Sequence, residues 1–311
     1  MIGAQYLFRL LPPRKITTAM HDHHNLDGIG PQPVNDAVAL VNHFADANVI
    51  GFGHGPVAMR KLWQVAGGVQ QTFYVRPDGF RIVTETDRNG RMLRRFRRGP
   101  DGREHAIIDN RRFWRNVGIG VGVGALVTIV ALNLRPPVVT IPRDRYIMDY
   151  ERASDDDLYQ TLIAEPVERS ERVYSLEEVR YNPELRDRVR RVDLDTITFD
   201  FGSFEITPAQ YGKLERLAKS INRVLADNPD AVFLIEGHTD AVGSQEDNLS
   251  LSDRRAQSVA QVLTEQFGVP PENLTTQGYG EQFLKVPTQD AERLNRRVAV
   301  RNISKLVAED R

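Results

Sequence analysis

The sequence predicts an α+β protein: a mixed sheet with helices packed on it, preceded by a small β-meander and a single transmembrane helix. Three observations carry this. Between Asp193 and Val307, strand-like runs take turns with runs at helical spacing. Between Gln70 and Asn110, three turn signals recur every eleven or twelve residues. Between these regions, Val117–Leu134 carries no charge. The boundaries that follow are 1–69, 70–110, 117–134, 135–192 and 193–307.

The 311 residues suffice for two modest domains and a linker. A net charge of −1 gives no polyelectrolyte argument for a nucleic-acid partner. The absence of cysteine excludes a disulfide scaffold and a thiolate zinc site. The Met1 end does not read as an ordinary signal peptide, because Arg9 interrupts its apolar stretch and Pro12-Pro13 follow.

In 1–69, His21-Asp22-His23-His24 reads as a solvated polar loop rather than a metal site, since four adjacent residues share no helix face. Val34, Val38, Val41 and Phe44 suggest an amphipathic helix over Pro33–Ala47. A second helix is expected over Pro56–Ala66, ended by Gly67-Gly68.

The turn signals are Pro77-Asp78-Gly79, Arg88-Asn89-Gly90 and Pro100-Asp101-Gly102. They separate four β-rich runs, Thr72–Val75, Phe80–Thr86, Arg91–Phe96 and Glu104–Ile108, and supply the positive φ that tight hairpins need. Residues 81–115 hold eleven Arg against five acids, so the meander is expected to be Arg-rich on one face. That face suits either solvent or an anionic lipid surface.

Val117–Leu134 would span about 27 Å as a helix, near the minimum for a crossing. Ten of its residues are Val, Ile or Leu. Gly118/Gly122 and Gly120/Gly124 are small-xxx-small pairs, which suit self-association of two copies. Arg111, Arg112 and Arg115 precede the run, so the positive-inside rule places the N-terminus in the cytoplasm and the C-terminus in the periplasm, with Trp114 at the interface. Residues 135–192 then read as a periplasmic linker of short helices, with caps at Ser154 and Ser175.

In 193–307 the expected elements are a strand at Leu194–Phe201 and a helix capped by Thr207-Pro208-Ala209-Gln210, with Leu214, Leu217, Ile221, Val224 and Leu225 as its buried stripe. A strand at Ala231–Ile235 follows, then a helix bearing Ala256, Val259, Ala260, Leu263 and Phe267 and ended by Gly268. Strands at Leu274–Gly278 and Arg297–Ile303 close the domain. This self-contained pattern predicts that 193–311 folds alone.

At the centre of the domain, a strand end delivers Asp240 and the next helix carries Arg255. The two can face one another across a pocket that suits a zwitterion, with an ammonium on Asp240 and a carboxylate on Arg255. The same spacing also fits a structural salt bridge at a strand–helix corner.

The stretch resembles the OmpA-like peptidoglycan-binding domain. The residues carrying the resemblance are Gly237-His238-Thr239-Asp240, Gly243, Asn248-Leu249-Ser250-Leu251-Ser252, Arg255-Ala256, Gly278-Tyr279-Gly280-Glu281 and Asn295-Arg296-Arg297-Val298. The resemblance implies a βαβαβ sheet with helices packed on it, and binding of the diaminopimelate of the cell-wall stem peptide. It implies that Asp240 contacts the ligand amine and Arg255 its carboxylate, with Asn248 and Arg296 lining the pocket. Thr239, Val242, Gly243, Leu251 and Arg297 would support it. One departure is Gly202, which stands where relatives often carry an Asp or Asn that helps bind the ligand.

The expected protein is thus a non-catalytic tether between peptidoglycan and a membrane of the cell envelope; either the inner or the outer membrane fits. No cofactor or metal is implied. Glu236, His238 and Asp240 are the residues an enzymatic rival would use, but no nucleophile-elbow Ser or HExxH accompanies them and no partner that would orient them is evident. A second rival, a stator- or transport-like membrane component, needs an intramembrane carboxylate that Val117–Leu134 lacks.

Overall fold

The computed structural model describes residues 58–307, apart from 66–67, 89, 118–133, 171 and 201. The expected helix over Pro33–Ala47, the His21–His24 loop, the glycine pairs Gly118/Gly122 and Gly120/Gly124, and nearly all of the apolar run lie outside the described residues. Among the described residues, no helix is long and apolar enough to cross a membrane.

The first sheet is an antiparallel meander of five sequential strands: β1 (Ala58–Val65), β2 (Val69–Val75), β3 (Arg81–Thr86), β4 (Met92–Arg98) and β5 (Glu104–Asp109). Gly79, Gly90 and Gly102 take φ of 83°, 76° and 81° at the three anticipated turns, where a side chain would be strained. The helix expected over Pro56–Ala66 is corrected: most of that segment is β1, paired with β2. A run short enough for either element is decided by its neighbour, and β2 offers it a strand edge. A helix of about two turns, α1 (Arg111–Val117), ends this region.

The Arg-rich character is largely consumed in pairing. Arg94 binds Glu85 at 2.6 Å and Glu104 at 2.8 Å, and Arg98 also pairs with Glu104. Register explains this, since Glu85 lies opposite Arg94 and Glu104 opposite Arg98.

The second sheet has the order β6-β7-β10-β8-β9, built from β6 (Ile147–Asp149), β7 (Arg191–Asp193), β8 (Phe233–Gly237), β9 (Leu274–Gly278) and β10 (Val298–Asn302). β8 and β9 are parallel, and β10 runs antiparallel to both β8 and β7. The segment Leu194–Asp200 is not the first strand. Leu194, Ile197 and Phe199 are buried, but Leu194 and Ile197 are three apart, an odd step that no single strand face accommodates. Ile197 instead closes a turn onto the Leu194 carbonyl.

Two segments of 135–192 enter this sheet as β6 and β7, and the rest packs on it, so the region is part of the folded body rather than a link. Its helices α2 (Arg143–Tyr146), α3 (Asp155–Ile163), α4 (Leu176–Tyr181) and α5 (Pro183–Arg186) are short. Both anticipated caps form as capping boxes, Ser154 with Asp157 and Ser175 with Glu178. At Thr207 no side-chain cap bond forms before α6 (Pro208–Tyr211): the Gln210 amide donates to the Thr207 carbonyl, and the Gln210 side chain accepts from the Thr198 amide.

Alternation along β8 divides the core in two. Phe233 and Ile235 face a cluster completed by α3, by α7 (Glu215–Asp227) and by α8 (Gln245–Phe267), which holds the expected stripe of Leu217, Ile221 and Val224. Val232 and Leu234 face a second cluster with Ile303 and with Leu306 of α9 (Ser304–Val307). On that side Leu176, Val179 and Leu185 pack together with Ile82, Ile107 and Ile108 of the meander. The meander and the C-terminal domain therefore share one core. Each fully buried aliphatic side chain in it contributes roughly 1.5–3 kcal/mol.

Candidate functional site

The site forms where β8 and β9 end beneath α8. Gly237 and Gly278 set the approach: a Cβ on Gly237 would stand 1.9 Å from the Ser252 carbonyl oxygen, and one on Gly278 would stand 2.4 Å from the Asp253 amide. Only glycine at both positions lets the helix backbone lie directly on the strand ends. Ser244 caps the helix by accepting from the Asp247 amide. Asn248, Ser252 and Arg255 then line its buried face, seven residues covering two turns.

Asp240 is buried, and its Oδ2 lies 2.6 Å from Nη1 of Arg296. Arg255 is 1% exposed although it carries a guanidinium. Its Nε donates to the Ser203 carbonyl at 3.0 Å, and the group lies over the Phe199 ring at 4.9 Å. Its Nη1 is buried without a hydrogen-bond partner. Burial, and secondarily the charge of Arg296, pull Arg255 down to about 10, while Asp240 opposes them. Two guanidiniums thus stand around one carboxylate, and the corner is not closed by an Asp240–Arg255 salt bridge. The Arg255 guanidinium thus keeps one donor that no group among the described residues uses.

The other anticipated residues divide. Asn248 joins the site, with its amide nitrogen 2.6 Å from Glu281 Oε2. Gly243 takes φ of 111° beside Asn248. The Thr239 amide donates to the Gly280 carbonyl and its hydroxyl is buried without a partner. Val242 is exposed and Leu251 half-buried. Arg297 turns elsewhere: it donates to the Phe283 carbonyl, and burial, then the charge of Arg191, lowers it to about 10 while Asp193 opposes them.

Sequence reasoning did not single out Ser203, Phe199 or Glu281 as site residues. Gly202 takes φ of 68°, and the next residue supplies the carbonyl that holds Arg255. Glu281 was present within the Gly278–Glu281 motif, but its Asn248 partner lies 33 positions away.

The Glu236 and His238 pair acquires partners that spacing did not reveal. Glu236 lies 3.2 Å from Arg186, 3.1 Å from Arg301 and 3.9 Å from His238, all of them buried. Those guanidiniums outweigh burial and hold Glu236 well below the usual carboxylate range. His238 stacks on Tyr279, and burial followed by Arg297 pulls it down to about 4. Among the described residues no cluster of three or more acidic, His or Cys side chains could hold a metal ion.

Residues 198–297 match the family model described as the OmpA family. Outer membrane porin F of Pseudomonas fluorescens is 38% identical over 113 residues, covering 36% of this chain and 33% of that protein. Outer membrane protein A of Buchnera aphidicola is 31% identical over 103 residues, covering 33% of this chain and 29% of that protein. The chain spans about a third of the length of these curated relatives. Among solved structures, the peptidoglycan-associated lipoprotein of Burkholderia pseudomallei is 26% identical with a TM-score of 0.30, covering 33% of this chain and 86% of that one. The C-terminal domain of Helicobacter pylori MotB is 28% identical with a TM-score of 0.29, covering 33% and 80%.

Proposed function

We propose, from the premise that residues 198–297 are an OmpA-family domain, that this chain is a non-catalytic envelope protein that holds peptidoglycan in the periplasm. The ligand feature recognised is the zwitterionic end of diaminopimelate in the stem peptide. The observation that carries this reading is the buried Arg255, whose Nη1 has no partner while Asp240 stands nearby.

Arg296 occupies Asp240 in the way a ligand ammonium would. An arriving ammonium shares or takes over that carboxylate. Arg296, 28% exposed in its side chain, is then free to swing with Arg255 onto the ligand carboxylate. Two guanidiniums on one carboxylate provide the bidentate, charge-assisted bonds that discriminate against ligands lacking either charge. Asn248 and Glu281 border the same pocket. Attachment to a membrane is assigned to the apolar run Val117–Leu134, the longest uncharged stretch beside the domain.

Pull-down of the full chain on purified sacculi tests the reading. Wild type is expected in the pellet and Asp240→Ala in the supernatant. Equal pelleting of the two, or none of either, overturns it.

A further inference from the structure

The β-meander precedes the apolar run in sequence, and the wall-binding domain follows it. Yet the two are one body. Ile82, Ile107 and Ile108 complete the core under Val232, Leu234 and Ile303. Around this core lie polar links between the two parts. Arg95, 8% exposed, donates from Nη1 to the Glu272 carbonyl at 3.1 Å. Arg97 grips Asp230 through two bonds of 3.0 and 3.2 Å. The Tyr74 hydroxyl donates to the Glu272 carboxylate, and Asn110, fully buried, accepts from the Leu176 amide at 2.9 Å.

The ends of the apolar run meet the same cluster. On the near side, the Trp114 ring nitrogen donates to the Met92 carbonyl at 3.0 Å, and Met92 packs against that core. On the far side, Leu134 packs against it too. A single crossing would set these ends in different aqueous phases, about 30 Å of hydrocarbon apart. Of the Arg-rich stretch before the run, Arg94 is committed to Glu85 and Glu104, Arg97 to Asp230 and Arg111 to Asp109, while Arg112 and Arg115 are exposed.

We infer that residues 58–116 and 134–307 occupy one aqueous compartment, on the same side of any membrane. The interacting surface is the apolar face of the meander, and its partner is the second face of the C-terminal sheet in the same chain. The inference rests on this packing and not on the wall-binding reading. If the domain is periplasmic, the meander is periplasmic with it.

The chain has no cysteine, so single cysteines report location without background. Arg103→Cys marks the meander at a side chain 83% exposed, and Lys219→Cys marks the domain at one 66% exposed. The full chain is expressed in Gram-negative cells whose outer membrane is permeabilised. A membrane-impermeant maleimide is applied before and after lysis. Before lysis the two sites are expected to label to the same fraction of their lysed value, within about twofold. Labelling of one site at tenfold or more over the other overturns the inference. Melting curves provide an independent arm. Arg97→Asp and Asp230→Arg are each expected to lower Tm by a few degrees, and the double exchange to recover most of the loss. Additive losses in the double variant overturn the shared body, whatever sacculus binding shows.

Discussion

Asp240 and Arg296, 56 positions apart, meet at 2.6 Å, while Nη1 of Arg255 stays buried without a partner among the described residues. Asp240 therefore stands between two guanidiniums, and the response to substitution follows from that.

Arg255→Lys is expected to lose most ligand binding while keeping the fold. Lys cannot reach Ser203 with one nitrogen and present a second to a carboxylate, as the guanidinium does. The loss should be about 2–4 kcal/mol, roughly 30- to 1000-fold in affinity. Calorimetric titration with a stem-peptide fragment measures it, and near-wild-type affinity in the variant would remove Arg255 from the site.

Asp240→Asn is expected to weaken binding and also to lower stability slightly. The carboxylate balances two neighbouring guanidiniums. Because Arg296 is partly exposed, solvent screens the pair, and the stability cost should stay near 1 kcal/mol. Tm of the variant should recover part of its loss at high salt, as Arg255–Arg296 repulsion is screened. A salt-independent difference between wild type and variant counts against the electrostatic account.

His238 predicts acid sensitivity. Its folded-state value of about 4 lies below the ordinary 6.5. A base depressed in this way binds its proton more weakly folded than unfolded. Its contribution is complete above pH ~6.5 and is lost as pH falls toward about 4, on the order of 3 kcal/mol in total. Glu236, held low by Arg301 and Arg186, adds a loss in more acid solution, below its unfolded value. Tm measured from pH 7 to 4 should fall less steeply in His238→Gln than in wild type; parallel slopes would dismiss the histidine as the cause.

A fragment of 193–311 is expected to be less stable than the chain that includes the meander, by several kcal/mol. It exposes Val232, Leu234, Ile303 and Leu306, which are buried under Ile82, Ile107 and the α4 region in the intact body. It also lacks Tyr150, Leu158 and Leu162 from the other face. Chemical denaturation of the fragment and of 58–311, with a hydrophobic dye as a second readout, compares them. Equal midpoints and no dye binding would show that the added layers contribute nothing.

Much of the C-terminal domain was legible because periodicity is a local property. The stripe of Leu217, Ile221 and Val224, the αL stop at Gly268 and the turn glycines of the meander all stand where the sequence indicates. So do the ordered motif residues Asp240, Asn248 and Arg255, because the last two share one helix whose spacing sets their face. In 135–192 the sequence indicates short helices but not β6 and β7, since strands that short carry too few residues for alternation to register.

What the sequence by itself determined was which residues form each element and which faces are apolar. Val232 through Ile235 are apolar without interruption, so both faces of β8 required cover. Tertiary structure alone decided what supplies that cover. An apolar face states that it must be buried and not against what, because hydrophobic attraction is non-directional. The meander and α4 meet one face of β8, and α7 and α8 meet the other. The same holds for charge: a lone Asp240 shows what it can bind, and only the folded chain selects Arg296 as its partner and leaves Arg255 unpaired.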